Sequence, residues 1–409
     1  MSHTNNPPLK SAMTFTAMLL THCQRALFSI PRSLGIVVGL LAALMPLSIA
    51  TAAMPTPNVP EIAARGYLLQ DFNSGQIIAE KNSHEQMEPA SLTKLMTAHI
   101  IFSELRAGNL KLSTEVLVSE KAWRMGGSRM FIEVNKRVLV EDLLKGMIIQ
   151  SGNDASVALA EHVAGSEEAF ASLMNHHADR LGMHGTHFVN STGMPAADHY
   201  TTVHDLALLT KALISEFPDY YKWYSIKEFT YNDIRQHNRN ALLWRDKYVD
   251  GVKTGHTDSA GYCLISSALR DDMRLISIVL GTRSKEARSK ESQKLLNYGF
   301  RFFETRMLYS ANSQLTTSRI WKGASEQLSL GLAEDLYITI PRGRYDKLDA
   351  SMKIDVQIIA PVVKGSSHGF VDISLAGSGV VERPLVALQS IKEGSMFQRL
   401  ADEISLLFE

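Results

Sequence analysis

Three short strings contain the residue types that could do chemistry in this sequence. Ser91-Leu92-Thr93-Lys94 offers a hydroxyl and, about one helical turn later, an amine. Ser151-Gly152-Asn153 offers a second hydroxyl and an amide, and Lys253-Thr254-Gly255 offers a second cation. A serine hydroxyl becomes a good nucleophile only when a nearby base takes its proton. Together the strings predict an enzyme that cleaves an acyl bond through a serine ester.

Each side chain has an expected task in that reaction. Ser91 would attack, and Lys94 would be the base once it is an unprotonated amine. The nearby charge of Lys253 would lower the pKa of Lys94 in the required direction. Ser151 would relay a proton between Lys94 and the leaving group, and Asn153 would hold the substrate amide. A simple helix-capping role for Asn153 is the alternative.

The third string is predicted to lie on a strand that a substrate can pair with. An exposed strand edge binds an extended peptide through its backbone, and Gly255 would let the ligand approach closely. The backbone amides of Ser91 and His256 are candidate donors to the oxyanion. Alone, each string is weak evidence, because any surface helix can contain serine and lysine at this spacing.

Periodicity places the strings on definite elements. Apolar residues recur at helical spacing over 91–106, and Gly108 follows where a C-terminal cap belongs. The stretches 140–149 and 154–163 are also helical, so Ser151 lies on a loop between them. The same periodicity predicts further helices at 202–214 and 291–303. Alternating apolar residues and turn signals predict an opening hairpin at 66–72 and 76–79, and three antiparallel strands at 249–254, 262–269 and 273–280.

The chain divides by composition into a catalytic part and a smaller strand-rich part. At 409 residues it exceeds the length over which one hydrophobic core keeps growing. We predict an α+β catalytic domain over 53–304, with an antiparallel sheet and a helical subdomain. A small β-sandwich follows over 305–394. Its most regular strand is the alternating apolar pattern at 352–358.

The first 52 residues read as a secretory leader. No acidic residue occurs in the first 53 positions, and an uncharged stretch over 34–47 follows two arginines. Small residues, Ala50-Thr51-Ala52-Ala53, then form a cleavage site that we place after Ala52. An uncleaved membrane anchor is the less favoured alternative, because the apolar stretch is short for a span. The sequence therefore predicts export to the periplasm.

The last residues, 395–409, are predicted to form an amphipathic helix. It is too short to span a bilayer but can lie in the interface, on the outer face of the cytoplasmic membrane. Docking on the sandwich is the alternative, and the acidic side chains weaken attraction to anionic lipid. Five apolar side chains share one helical face: Phe397, Leu400, Ile404, Leu407 and Phe408.

Other classes of function are poorly supported. With no net charge the chain shows no basic signature of nucleic-acid binding. We expect no cofactor and no metal, since no His-Glu-x-x-His or Cys/His ligand set occurs and His176-His177 reads as ordinary surface or core. Of the two cysteines, Cys23 falls in the leader. Cys263 lies in an apolar run where thiols pack as small hydrophobes.

The sequence resembles the low-molecular-mass penicillin-binding proteins that are D-alanyl-D-alanine carboxypeptidases. Beyond the three strings, the resemblance rests on the terminal amphipathic helix and three further stretches: Lys253-Thr254-Gly255-His256-Thr257-Asp258, Phe300-Arg301-Phe302-Phe303-Glu304 and Ile340-Pro341-Arg342-Gly343-Arg344. It implies the penicillin-binding-protein fold and attack on the terminal D-Ala-D-Ala of peptidoglycan stem peptides. It also implies covalent inhibition by β-lactams, and a substrate carboxylate held by Thr254 and Arg288, although Arg283 is close to Arg288 in the sequence.

The three strings give the reaction class and leave its outcome open. A class A β-lactamase is disfavoured, because its second motif normally reads Ser-Asp-Asn and this chain has Gly152 in the middle. A DD-endopeptidase that cuts cross-links is the nearest alternative to a carboxypeptidase. A scaffold that binds penicillin or muropeptides without catalysis is a third interpretation.

Overall fold

The structure is a computed structural model that describes residues 57–407, so the predicted leader lies outside the described residues. Strands and helices are numbered here in chain order. The strands are β1 (Gly66–Asp71), β2 (Ile77–Lys81), β3 (Glu115–Leu117), β4 (Arg137–Leu139), β5 (Glu228–Tyr231), β6 (Ile234–His237), β7 (Val249–Thr257), β8 (Gly261–Arg270), β9 (Met273–Thr282), β10 (Phe303–Tyr309), β11 (Gln314–Arg319), β12 (Gln327–Gly331), β13 (Leu336–Pro341), β14 (Leu348–Ile354), β15 (Ser367–Leu375) and β16 (Ser378–Ala387).

The helices follow the same scheme, with short turns of other types between them. A 3₁₀ turn at Ala90–Thr93 leads directly into the first helix, and a π-helical turn at Gly146–Gln150 follows the third. The helices are α1 (Lys94–Ala107), α2 (Glu120–Trp123), α3 (Val140–Lys145), α4 (Asn153–Ala164), α5 (Glu167–Arg180), α6 (Val203–Glu216), α7 (Pro218–Tyr221), α8 (Leu242–Arg245), α9 (Lys285–Phe302) and α10 (Met396–Leu406).

A five-stranded antiparallel sheet divides the catalytic domain into layers. Its strand order is β2-β1-β9-β8-β7, which leaves β7 at one edge. Successive residues of β8 belong to different cores: Cys263 and Ile265 pack with the helical subdomain, whereas Leu264 packs with α9. Both faces of the sheet are therefore covered, which explains the continuous apolar run in β8. The predicted antiparallel pairing of the last three strands of this sheet is confirmed.

Helix α1 passes through the middle of the larger core. Its residues from Lys94 to Phe102 are all buried, and Gly108 ends it in a left-handed conformation with φ of 80°. A left-handed C-terminal cap favours glycine, as the sequence predicted. The helix that carries the candidate base is consequently held on every side by packed apolar side chains.

Helix α9 begins six residues before its predicted start. Ser284 caps it by accepting a hydrogen bond from the backbone N–H of Ala287 at 3.1 Å. The first turns of α9 are polar, so apolar periodicity did not reveal them. This earlier start places Arg288 on the helix, beneath β7 and β8.

The C-terminal part is all β, as predicted, but one predicted strand was wrong in extent. A sheet of order β11-β12-β16-β15-β14 faces the ribbon formed by β10 and β13, and apolar residues of both fill the space between them. Strand β14 ends at Ile354, opposite Gly369, because its partner β15 begins at Ser367. Val356, predicted as part of this strand, is fully exposed.

Helix α10 presents its polar side to the sandwich and its apolar side to solvent. The backbone N–H of Lys322 donates to the carboxylate of Asp402 at 2.5 Å, and the Lys322 ammonium pairs with Glu403. Phe397 and Leu400 are exposed by 84% and 60%. The predicted free apolar face and the alternative arrangement, docking on the sandwich, therefore occur together, since the helix docks through its polar side. Within residues 57–407, every helix is too short or too polar to cross a bilayer.

A buried hydrogen-bond network joins the catalytic domain to the sandwich. Asp71, at the end of β1, is fully buried and accepts hydrogen bonds from the Ser74 hydroxyl at 2.9 Å and the Thr305 hydroxyl at 2.7 Å. The hydroxyl of Thr339 lies 2.6 Å from that of Ser74 and 2.9 Å from that of Thr305. Since a buried polar group without a partner is destabilising, this network fixes the junction.

We predict that Asp71→Ala lowers the free energy of unfolding by roughly 2 kcal/mol, because the hydroxyls of Ser74 and Thr305 and the backbone N–H of Ser74 lose their acceptor. Thermal and urea denaturation of the whole chain would measure the loss. Asp349→Ala, which removes an exposed carboxylate from the sandwich, is the matched control and should change stability little. Equal stability of the two variants would show that the network does not hold the junction.

Candidate active site

The first predicted pair is in contact. Ser91 lies in the 3₁₀ turn, and Lys94 is the first residue of α1, so one turn of helix aligns their side chains. Their Oγ and Nζ atoms are 3.0 Å apart. Lys94 is 1% exposed, whereas Ser91 lines an open cleft. The hydroxyl can therefore meet a ligand while the amine stays out of water.

The other neighbours of Lys94 decide how its amine is oriented. The Asn153 side-chain oxygen lies 2.7 Å from Nζ, and the backbone oxygen of Thr192 lies 2.5 Å from it. Both atoms can only accept hydrogen bonds from the amine. A neutral amine has two N–H groups and one lone pair, so it donates to these two oxygens. Its lone pair is then left for the hydroxyl of Ser91.

Burial favours the neutral amine. Desolvation, with a smaller effect from the charge of Arg239, lowers the pKa of Lys94 to about 7. The carboxylates of Asp154 and Glu167 act in the opposite direction but do not prevail. No carboxylate forms an ion pair with Lys94 in the described part of the chain. An amine with a pKa near the working pH suits a general base.

Ser151 and Lys253 form a second serine–lysine pair, a contact that the sequence analysis did not predict. The Nζ atom of Lys253 donates to the Ser151 hydroxyl at 2.8 Å and to the backbone oxygen of Thr254 at 3.1 Å. Burial, and then the charge of Lys94, lowers the pKa of Lys253 well below its usual value. The pKa of Lys94, in contrast, is lowered by burial and by Arg239, and not by Lys253 as the sequence analysis predicted.

Local backbone geometry aims Ser151 away from its helix. The π-helical turn after α3 ends at Ser151, which is left-handed with φ of 68°. Turns of this type and left-handed non-glycine residues are uncommon and concentrate at functional sites. The predicted break between the two helices is confirmed. Its effect is to direct the hydroxyl toward Lys253 instead of into the helical core.

Asn153 has a fixed orientation. Its Nδ2 atom donates to the backbone oxygen of Gly126 at 2.7 Å, so its oxygen must face Lys94. The second N–H of this amide has only a long contact of 3.7 Å with the sulfur of Met194. It is therefore the part of Asn153 that remains for a ligand. Asn153 orients the base, a task that sequence reasoning did not assign to it.

Two glycines let the nucleophile turn pack against its surroundings. A Cβ atom on Gly193, which has φ of 81°, would lie 1.8 Å from the backbone oxygen of Ala90. A Cβ atom on Gly255 would lie 3.2 Å from Ala90 and Pro89. The absent side chain of Gly255 thus faces the turn that carries Ser91. The sequence analysis expected Gly255 to let a ligand approach closely. In the structure, the glycine instead makes room for the turn of Ser91.

A buried histidine supports the same turn. His199 accepts a hydrogen bond from the backbone N–H of Val189 at its Nδ1 atom, so its Nε2 atom carries the proton. Nε2 lies 2.9 Å from the hydroxyl of Thr93, between Ser91 and Lys94 in the chain. Burial lowers the pKa of His199 to about 4. The ring is therefore a neutral support for the turn near neutral pH.

The predicted residues share one cleft of about 990 Å³. It lies between β7 and the loops that contain Gly127 and Met194, and the ring centroids of His256 and Tyr262 are 4.0 Å apart with the rings tilted by 33°. The amines of Lys94 and Lys253 are buried beneath it. Seven of the nine predicted site residues line the cleft: Ser91, Ser151, Asn153, Thr254, Gly255, His256 and Arg288.

The structure distinguishes the two arginines that the sequence left close together. Arg288 is 6% exposed, lines the cleft and donates to the backbone oxygen of Gly255 at 3.0 Å. Burial lowers its pKa to about 10, so it stays charged. Arg283 lines a separate groove. Only Arg288 of the two lies where a ligand in the cleft could meet it.

Arg239 is a cleft residue that sequence reasoning missed. It follows β6, lines the cleft and is close enough to lower the pKa of both Lys94 and Lys253. It also contributes its backbone oxygen to Arg288, at 3.5 Å. The polar string Asn238-Arg239-Asn240 between a strand and a helix was the only signal, and it has no characteristic spacing.

The remaining reactive side chains are accounted for by packing. Cys263 is fully buried, and desolvation raises the pKa of its thiol to about 11. His177 is buried with its Nδ1 atom 3.4 Å from that of His99. Within residues 57–407, no group of three or more His, Cys, Asp or Glu side chains is arranged to hold a metal ion.

Comparison with known families accounts for nearly all of the described chain. Residues 52–284 match the model of the D-alanyl-D-alanine carboxypeptidase family of peptidases. Residues 303–393 match that of the C-terminal domain of penicillin-binding protein 5. The first match ends just before α9 and the second begins just after it, and the second contains all the strands of the sandwich.

Individual relatives are similar over most of their length. D-alanyl-D-alanine carboxypeptidase DacA of Escherichia coli is 44% identical over 360 residues, which are 86% of this chain and 89% of DacA. Penicillin-binding protein 5 of Haemophilus influenzae is 38% identical, with a TM-score of 0.80 over 82% of this chain and 100% of that one. Penicillin-binding protein D2 of Listeria monocytogenes, solved in its ampicillin-bound form, is 32% identical, with a TM-score of 0.55 over 60% of this chain and 100% of that one.

The fold, the paired serines and lysines and the family matches agree with one another. The resemblance predicted from the three strings is confirmed, and the chain belongs to the D-alanyl-D-alanine carboxypeptidase family of serine peptidases.

Proposed function

We propose that Ser91 is the nucleophile with which this serine-type carboxypeptidase removes the terminal D-alanine from peptidoglycan stem peptides. The observation that carries the assignment is the arrangement around Lys94. Two acceptor oxygens occupy its N–H groups, so the lone pair of the neutral amine meets the Ser91 hydroxyl at 3.0 Å. The amine can take the serine proton as the oxygen attacks.

Acylation begins with attack on the carbonyl carbon of the penultimate D-alanine. The Ser91 oxygen forms an ester, and the amide C–N bond breaks. The serine proton passes from Lys94 through Ser151 to the nitrogen of the departing D-alanine. The backbone N–H groups of Ser91 and His256 would stabilise the oxyanion. Water then hydrolyses the ester, with the same groups moving its proton.

The cations at one end of the cleft would hold the substrate's terminal carboxylate. Thr254 supplies a hydroxyl, and Arg288 supplies a guanidinium that stays charged. A bound carboxylate also raises the pKa of nearby amines, so it favours the charged form of Lys253. The free N–H of Asn153 faces the cleft and would bind a carbonyl of the peptide. These groups select a peptide that ends in a free carboxylate.

The same site is acylated by β-lactams, which present an amide carbonyl and a carboxylate at similar positions. Ser91 opens the lactam ring, and the ester then blocks the cleft. The intact pairs of Ser91 with Lys94 and Ser151 with Lys253 favour an enzyme over a scaffold that only binds muropeptides. No additional cofactor is needed for these steps.

We further assign 1–52 as a leader that is removed after Ala52, and the wall outside the cytoplasm as the place of action. The composition of this segment and the location of peptidoglycan support the assignment. Helix α10 would then contact the outer face of the cytoplasmic membrane. Its acidic side chains are engaged with the sandwich, which leaves its apolar side for the lipid interface.

Ser91→Ala should fold normally but lose covalent labelling by fluorescent penicillin, and D-alanine release should fall on the order of a thousandfold or more. Gel fluorescence and a D-alanine assay measure the two effects. Ser103→Ala, which removes a hydroxyl from α1, the helix that follows the turn of Ser91, is the control and should label normally. Undiminished labelling of Ser91→Ala would refute the assignment of the nucleophile.

The acylation rate should rise with pH through about 7, because the reactive form of Lys94 is the neutral one. Below that pH the rate should fall about tenfold per unit. Arg239→Gln removes a positive charge, so it should raise the pKa of Lys94 and move the midpoint upward by roughly half a unit. Stopped-flow acylation by penicillin at several pH values measures the midpoint.

Arg235→Gln is the matched control for that shift, because the Arg235 guanidinium is already paired with Glu228. Its midpoint should equal that of the unaltered enzyme. A rate that does not change between pH 6 and 8, or equal midpoints for both variants, would contradict Lys94 as the base.

The exported chain should pellet with phosphatidylcholine vesicles, and replacing Leu400 and Ile404 with serine should weaken this binding by about tenfold or more. Added salt should change binding little, because few basic residues lie on α10. Val356→Ser, which alters an exposed apolar residue of the sandwich, is the control. Equal sedimentation of the double variant and the control would exclude α10 as the membrane contact.

A further inference from the structure

The carbonyl group that orients Lys94 belongs to a largely buried loop, residues 190–194. The Thr192 oxygen of this loop accepts a hydrogen bond from the Lys94 amine, and Gly193 packs against the turn that carries Ser91. Both members of the nucleophile pair therefore contact the loop. Because it lies outside the helices and strands, side-chain contacts must fix the position of its carbonyl groups.

Asn190 determines the shape of the loop from within. Its side-chain oxygen accepts hydrogen bonds from the backbone N–H of Thr192 at 3.1 Å and of Gly193 at 2.7 Å. Its Nδ2 atom donates to the backbone oxygen of Met194 at 2.9 Å. Asparagine side chains stabilise turns through such bonds to the backbone that follows them. These contacts join residues of the loop to one another and do not attach it to the rest of the domain.

Ser191 attaches the loop to the two helices beside it. It is fully buried, and its backbone oxygen accepts a hydrogen bond from the hydroxyl of Thr97, on α1, at 2.7 Å. On the other side lies Glu167, the first residue of α5. Its Oε1 atom accepts two hydrogen bonds from Ser191, from the backbone N–H at 3.1 Å and from the hydroxyl at 2.8 Å. Glu167 thus fixes the residue that directly precedes Thr192.

The second oxygen of Glu167 is engaged in a salt bridge. Its Oε2 atom lies 3.0 Å from the Nζ atom of Lys121, on α2. Glu167 is only 8% exposed, and a buried carboxylate is stable when it is paired and hydrogen-bonded. The next residue, Glu168, pairs with the same lysine at 3.2 Å, but its side chain is 78% exposed and forms no hydrogen bond with residues 190–194. The two neighbouring acids therefore differ in their contact with the loop.

We propose that Glu167 is a positioning residue for the catalytic base, because through Ser191 it holds the Thr192 carbonyl against one N–H of Lys94. Glu167 itself contacts neither the nucleophile nor the substrate. The inference rests on the proposed function, since it assumes that Lys94 is the base.

Loss of the Glu167 carboxylate would leave the buried N–H and hydroxyl of Ser191 without an acceptor. A buried polar group without a partner is destabilising, so the loop would shift to find one. The Thr192 carbonyl would move with it, and the amine of Lys94 would no longer be held with its lone pair toward Ser91. Reactions of this kind are sensitive to displacements of about 1 Å.

The charge of Glu167 has a separate effect on the base. The carboxylates of Glu167 and Asp154 raise the pKa of Lys94, against burial and the charge of Arg239. Replacing Glu167 with a neutral residue should therefore lower this pKa. The titratable and charged groups that face Lys94 are Asp154 of α4, Glu167 of α5, the ring of His199 before α6, Arg239 after β6 and Lys253 of β7.

Stopped-flow acylation of the full chain by penicillin between pH 5 and 9 separates the two effects. Glu167→Ala removes both the acceptor and the charge, and its rate on the high-pH plateau should fall by about tenfold or more. Glu167→Gln keeps an oxygen for Ser191, so it should retain at least about a third of the plateau rate. Because it lacks the charge, its midpoint should move downward by roughly half a unit. Rates are counted per site that penicillin labels, so unfolded protein does not contribute.

Glu168→Gln is the matched control, because it removes the exposed carboxylate that pairs with the same lysine. Its plateau rate and midpoint should equal those of the unaltered enzyme. Equal plateau rates for Glu167→Ala and Glu168→Gln would overturn the positioning role. So would a loss in Glu167→Gln as large as that in Glu167→Ala, or, if the alanine variant does not fold, an unmoved midpoint in Glu167→Gln. A rate in the unaltered enzyme that does not depend on pH would instead overturn Lys94 as the base, so the two failures are distinguishable.

Discussion

The site depends on the buried amine of Lys94, whose two N–H groups are already hydrogen-bonded and whose lone pair is free. Asn153 and the backbone of Thr192 accept hydrogen bonds from Lys94, and the lone pair of the amine faces the hydroxyl of Ser91. The protein interior that packs around α1 keeps water from this amine and so lowers its pKa. Burial would be destabilising for an ammonium ion, but it prepares a neutral base.

The scaffold maintains that contact from three separate parts of the chain. Gly193 and Gly255 let the nucleophile turn approach its neighbours closely, and His199 supports it from behind. The π-helical turn before Ser151 and the edge strand with Lys253 bring the second pair to the same cleft. Because these contacts join residues far apart in sequence, the geometry of the site depends on the packing of the whole catalytic domain.

Much of this arrangement was predictable because the signals are local. The spacing of Ser91 and Lys94 on a helix, the break at Ser151 and the apolar periodicity of the sheet all act within a few residues. Arg239 was missed because only tertiary folding brings it to the lysines. The need for glycine at 255 was also hidden, because the turn that a side chain there would contact is distant in sequence. Long-range packing is what the sequence pattern could not supply.

The protonation state of Lys94 is the central claim, and it can be observed directly by ¹⁵N nuclear magnetic resonance of Nζ-labelled lysine in the unliganded enzyme. Assignment through a Lys94→Arg variant would identify the signal. The account predicts that this amine loses its proton with a midpoint near pH 7. An ammonium signal for Lys94 that persists above about pH 9, close to the ordinary range of lysine, would contradict it.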